Sequence, residues 1–131
     1  MSTFRPNRNG RVCVLNFDDK FTFELPLHEE TSRKLAKIAE RQIEATKKMN
    51  PEDENAFDVI FNSSIDAIDE ILGEGAGDKI MSLYEKPSLF DVADVINYIS
   101  ETYSGDYRKA LGENKKAGIV PPSARRTYAS Y

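Results

Sequence analysis

The sequence predicts an α+β domain: an N-terminal β-hairpin packed on a bundle of about four helices, with disordered termini. Three observations carry that reading. Residues 11–25 alternate apolar and polar side chains around an acidic break at Asp18-Asp19. The stretches that follow repeat their apolar residues every three to four positions, with interruptions at Asn50-Pro51, at the glycines of 73–77 and at Lys86-Pro87. A period of two marks a strand with one buried face, and a period near 3.6 marks a helix. Finally, 131 residues that are 40% hydrophobic and 31% charged suffice for one modest core. The expected division is a disordered lead-in over 1–10, a single domain over 11–111 and a flexible basic tail over 112–131.

In the first arm, Arg11 to Phe17, Val12, Val14 and Asn16 share one face, and Cys13, Leu15 and Phe17 the other. In the second, Lys20 to Leu25, Phe21, Phe23 and Leu25 oppose Thr22 and Glu24. A lone hairpin is marginal in water, so its phenylalanine face must lie on helices or another sheet. Pro26 ends the second arm. The first helix is expected from about His28 to Met49, with Leu35, Ile38, Gln42, Ala45 and Met49 as a narrow stripe and Ala39, Ile43 and Thr46 beside it. Glu29 and Glu30 at its start and Lys47 and Lys48 at its end complement the helix dipole.

The second helix, from about Glu54 to Leu72, carries the broadest stripe: Phe57, Ile60, Phe61, Ser64, Ile65, Ile68, Ile71 and Leu72. It is expected to be the core helix with Phe57 inside, and Gly73 to Gly77 to be a flexible loop after it. A short helix follows from about Asp78 to Glu85. Ser88 then reads as an N-cap, with Asp91 three residues on in a capping-box position. The fourth helix runs to about Tyr103 on Leu89, Val92, Ala93, Ile96, Ile99 and Tyr103, with Phe90, Val95 and Tyr98 outside that stripe. Gly105 marks an end or a kink, and Asp106 to Leu111 allows one more turn.

Composition excludes several classes of function. A lone Cys13 leaves no intramolecular disulfide, and Cys13 with the only histidine, His28, cannot build a Cys/His zinc site. No apolar run has the length of a membrane span, and the first residues lack the apolar stretch of a secretory signal, so a cytoplasmic protein is expected. Residues 1–50 hold ten Lys/Arg against seven Asp/Glu (+3), residues 51–105 two against thirteen (−11), and residues 106–131 six against two (+4). An acidic centre between basic ends argues against nucleic-acid binding, which needs a broad basic face. It suits self-association or a partner with a basic surface.

No catalytic, cofactor or metal constellation emerges. His28 at a helix start reads as a capping or exposed residue, and Cys13 as a structural one. Asp66, Asp69 and Glu70, and likewise Asp91 and Asp94, have helical spacing for a shared cation. They lack a loop or histidines, however, and read as solvated. The run GEGAGDK lacks both the spacing and the preceding strand of a phosphate loop. The informative feature is the apolar surplus of the fourth helix. Phe90, Val95 and Tyr98, edged by Asp91, Asp94 and Glu101, are expected to form a partner-binding surface, because contiguous apolar patches on small domains mark binding sites.

The acidic composition, the β-region RVCVLNFDDKFTFEL, the helices ending in FDVADVINYISETYSGDYRKALGENKK and the basic tail together resemble the small tail assembly chaperones of long-tailed phages and prophages of Gram-positive bacteria. The resemblance covers about residues 11–116. It implies a non-enzymatic role without cofactor: binding a large, apolar, helical tape measure protein, and recruiting tail tube subunits in the host cytoplasm. It carries over no individual residue role. A small helical adaptor or a minor virion component, docking a partner through the same acidic-rimmed apolar face, is the alternative. A homo-oligomer is compatible with either.

Overall fold

In the computed structural model, which describes residues 3–6 and 10–116, the chain forms a two-stranded antiparallel hairpin and four helices. The strands are β1 (Val12–Phe17) and β2 (Phe21–Pro26), and the helices are α1 (Glu29–Lys48), α2 (Ala56–Leu72), α3 (Ala76–Met81) and α4 (Leu89–Lys116). The fold is α+β. The lead-in residues Met1, Ser2 and 7–9, and residues 117–131 of the expected tail, lie outside the described residues.

The hairpin has the expected parity. Cys13, Leu15, Phe17 and Leu25 are buried, with Phe21 and Phe23 partly so, while Val12, Val14 and Asn16 face out. Cys13 pairs with Leu25, Leu15 with Phe23 and Phe17 with Phe21. Asp18 and Asp19 both take the left-handed conformation, φ 57° and 56°, and Lys20 N–H closes the turn on the Phe17 carbonyl at 3.0 Å. The Asn16 side chain pins it: its amide donates to the Asp19 carboxylate (3.0 Å) and its oxygen accepts from Asp19 N–H (2.9 Å). Aspartate tolerates this conformation better than most residues because its short side chain bonds locally.

Helices α1 and α2 run antiparallel. Ser64, the one buried polar residue among the described residues, has its hydroxyl 2.6 Å from Gln42 Oε1 and 2.8 Å from the Ile60 carbonyl. Six residues on, Glu70 pairs with Arg41 at 2.8 Å, and its carbonyl accepts from Lys34 Nζ at 3.1 Å. His28 caps α1 by accepting from Glu30 N–H through Nδ1 at 3.1 Å. The α1 stripe is as narrow as expected: Leu35 and Ile38 are buried, and Ile43 is exposed.

Four expectations are corrected. Phe57 is 43% exposed, because α2 begins only one residue before it; Ile60, Ile65, Ala67 and Ile68 form the buried face instead. The glycine run is no loose loop. Gly73 and Gly75 turn the chain at positive φ, and Gly77 lies inside α3 against α2, with its N–H on the Asp69 carboxylate at 2.7 Å. A Cβ at Gly77 would stand 2.7 Å from Ile65 Cγ2 and 2.9 Å from its carbonyl oxygen, closer than atoms pack. Next, α3 is shorter than expected and starts earlier. Lastly, α4 passes Gly105 without a break and continues to Lys116, so residues 112–116 are helical rather than tail. A helical glycine costs only about 1 kcal/mol; here Tyr103 and Tyr107 anchor the helix on either side of it, the first buried and the second packed against the core.

Helix α4 lies beneath the hairpin. Val92, Val95, Ile99 and Tyr103 form its buried face and meet Leu15, Phe17, Ile68 and Ile80 in one cluster. Two tyrosines tie it to the hairpin backbone. Tyr98 OH accepts from Asn16 N–H (3.0 Å) and donates to the Asn16 carbonyl (3.1 Å). Tyr103 OH accepts from His28 N–H (3.0 Å) and lies 2.9 Å and 3.0 Å from the Pro26 and His28 carbonyls.

Candidate partner-binding groove

Where the hairpin turn, the segment after α3 and the first half of α4 meet, they enclose a groove of about 400 Å³. Its apolar wall is Phe17 from β1, Ile80 and Leu83 from the α3 end, and Val95 from α4. Tyr84 and Tyr98 add rings with a polar tip, and Asn16, Asp18 and Asp94 supply polar rim groups. The Phe17 and Tyr98 rings meet edge to face at 5.2 Å, which fixes one side of the groove. Because the Tyr98 hydroxyl is spent on Asn16, its ring is what remains to touch a ligand. Burial first, then the Asp91 and Asp94 carboxylates, push the Tyr84 phenol above its ordinary range. Negative potential therefore gathers at this end of the molecule and favours a cation.

The six residues expected on the partner surface are distributed differently. Asp94, Val95 and Tyr98 come together in the groove. Val95 is only 3% exposed and forms part of the core floor, so it is not a free contact residue. The cause is helical geometry: positions 95 and 96 both fall within reach of the buried arc centred on Ile99, and packing on the hairpin and on α2 turns 95 inward, leaving Ile96 half-buried. Asp91 is committed to the N-terminus of α4, accepting from Ser88 N–H at 2.9 Å and from its hydroxyl at 3.2 Å, the capping arrangement read from the sequence. Phe90 is 82% exposed and stands one turn before Asp94 on the same solvent-facing strip, which continues through Glu101. The edge-to-edge surface of Phe90, Val95 and Tyr98 is thus replaced by a groove at Val95 and Tyr98 with Phe90 and Asp94 beside it.

Sequence reasoning missed Phe17 and Asp18 at the hairpin turn and Leu83 and Tyr84 after α3, two segments brought beside α4 only by folding. The one signal available was Asp18-Asp19 itself, a turn with two aspartates where glycine or asparagine serves equally well.

The other polar groups have structural employment. The Asp69 carboxylate holds Gly77 N–H, and Glu70 holds Arg41, whose guanidinium keeps that carboxyl below its usual range. Cys13 is fully buried, and burial, then the neighbouring Asp106 carboxyl, push its thiol up to about 12. A thiol held neutral is no nucleophile at physiological pH. A second depression, of about 590 Å³, is lined by Lys34, Lys37, Glu40, Arg41, Glu44 and Glu70, all charged and already paired in part. Among the described residues no group of three or more His, Cys, Asp or Glu could hold a metal ion, and no helix is long and apolar enough to cross a membrane. Comparison of the chain with protein-family models, with curated proteins and with solved structures found no match.

Proposed function

We propose that this protein is a non-enzymatic assembly chaperone, of the kind that holds an apolar tape measure-like protein during phage tail morphogenesis. The observation that carries the reading is the groove: walls from the half-buried Leu83, Tyr84 and Tyr98 over a floor of buried Phe17, Ile80 and Val95, an Asp18 and Asp94 rim, and Phe90 projecting beside it. Such a site takes an apolar helical or extended segment that carries Lys or Arg next to its apolar residues. The walls bind the apolar side chains, and the acids select the neighbouring charge and keep the empty surface from aggregating. Supporting it from the sequence are the resemblance of residues 11–116 to tail assembly chaperones and the acidic centre of the chain.

The test is co-expression with the long helical protein of a neighbouring reading frame. The chaperone reading requires that protein to stay in solution with this chain and to aggregate without it. Aggregation in both cases overturns it. Recovery of this chain in purified particles, with no effect on the partner's solubility, replaces it with the virion-component reading.

A further inference from the structure

The groove has a candidate occupant within the chain itself, and the inference deepens the proposed function by resting on the same groove as a binding site. Residues 117–131 read AGIVPPSARRTYASY, with Pro121-Pro122, Arg125 and Arg126 and no acid. We infer that this segment of a second copy binds the acidic-rimmed groove, so that two copies exchange C-terminal segments and shield each other's partner site. Three considerations choose the occupant.

The first is shape. A Pro-Pro pair favours the polyproline II helix, which needs no internal hydrogen bonds and loses little entropy on binding, and grooves walled by aromatic rings recognise it. Here the half-buried rings of Tyr84 and Tyr98 provide such walls, with Phe17 buried behind them.

The second is charge. At three residues per turn, that helix places Pro122 and Arg125 on one side, so a proline lying on the rings carries a guanidinium to the rim about 9 Å away. The rim holds Asp18 and Asp94, with Asp91 close enough to act on Tyr84. The segment itself carries two arginines and no acid, against the two carboxylates of the rim.

The third is reach. Helix α4 carries the chain away from the groove: from Asp94 to Lys116 is 22 residues of helix, about 33 Å. Nine residues separate Lys116 from Arg125, at most about 32 Å when fully extended. Returning to the groove of the same chain would demand a completely taut connection and a reversal of direction at once. A second copy lying antiparallel presents its groove without either demand.

Charge-reversal variants of the full chain, followed by sedimentation equilibrium, test the exchange. In one variant the groove is reversed by Asp18→Asn with Asp94→Lys; in the other the tail is reversed by Arg125→Glu with Arg126→Glu. Far-UV circular dichroism checks that both retain the wild-type helix content. Wild type is expected to dimerise, and each variant alone to associate at least about tenfold more weakly, because like charges now meet. Mixed one to one, the two variants are expected to form a heterodimer, since the basic tail of the first fits the acidic groove of the second and the acidic tail of the second fits the basic groove of the first. Wild type that remains monomeric overturns the inference, as do variants that dimerise like wild type or a mixture that gains nothing. Co-expression reads the chaperone reading separately, so either idea can fail alone.

Discussion

Two tyrosines five residues apart on α4 hold the hairpin at its two ends, and they do so to different depths. Tyr103 is 2% exposed and places its hydroxyl among one N–H and two carbonyls of Pro26 and His28. Tyr98 grips only the backbone of Asn16, stays half-buried and leaves its ring to the groove. The same residue, on the same helix and with the same kind of partner, is a sealed joint at one end and a joint beside an open site at the other. Depth of burial, not residue type, separates structural from available aromatic surface in this fold.

Truncating the deep tyrosine should have the largest effect. Tyr103→Ala removes a buried ring and strands the His28 N–H and the carbonyl that takes the hydroxyl proton, so a loss of about 3–5 kcal/mol is expected in denaturant unfolding. An equal loss for Tyr98→Ala would erase the contrast between the ends. Cys13 reports on the same deep end, one strand pair away from Pro26 and beside Asp106. Its folded pKa of about 12 lies above that of a free thiol, so folding favours the neutral thiol. Its contribution is complete below pH 9 and is lost as pH rises towards 12. Alkylation by iodoacetamide should therefore proceed only through unfolding, and prompt labelling of native protein would show that end to be open.

Smaller substitutions sharpen the comparison. Tyr103→Phe keeps the ring but leaves the His28 N–H and one neighbouring carbonyl unpaired, at about 1–3 kcal/mol. Tyr98→Phe should cost about 0.5–1 kcal/mol, because water reaches the exposed Asn16. The smallest effects belong to the exposed aromatics: Phe90→Ser and Phe57→Ala should each change stability by no more than about 0.5 kcal/mol. A Phe57→Ala loss above 2 kcal/mol would return that residue to the core.

The sequence made the deep end more legible than the groove end, and the reason is the range of the interactions. Strand parity is local: with a period of two, Cys13, Leu15 and Phe17 can only share a face, and Phe17 with Leu15 has the apolar bulk to be the inner one. The Ser88 and Asp91 cap and the His28 cap are also local, and both form as read. The helical stripe of α4 is less determinate, because a 3.6-residue period lets Val95 and Ile96 compete for one arc, and only the neighbouring hairpin decides. Gly77 is likewise invisible locally; its need for no side chain arises from Ile65, twelve residues away on another helix. The groove depends on three separate segments, so its helix-borne residues Asp94, Val95 and Tyr98 were legible as apolar surplus, while Leu83 and Tyr84 passed as an ordinary helix end.

Under the proposed function, partner binding belongs to the groove end. Co-expression with the candidate tape measure protein, scored as soluble partner, compares two surface variants that spare the core. Phe90→Ser with Asp94→Asn alters the groove end, and Val59→Ser removes another solvent-facing apolar side chain, 64% exposed, from α2. The first variant, folded by circular dichroism, is expected to lose the partner to the insoluble fraction while the second keeps it in solution. Loss with Val59→Ser and retention with the groove variant would contradict this placement.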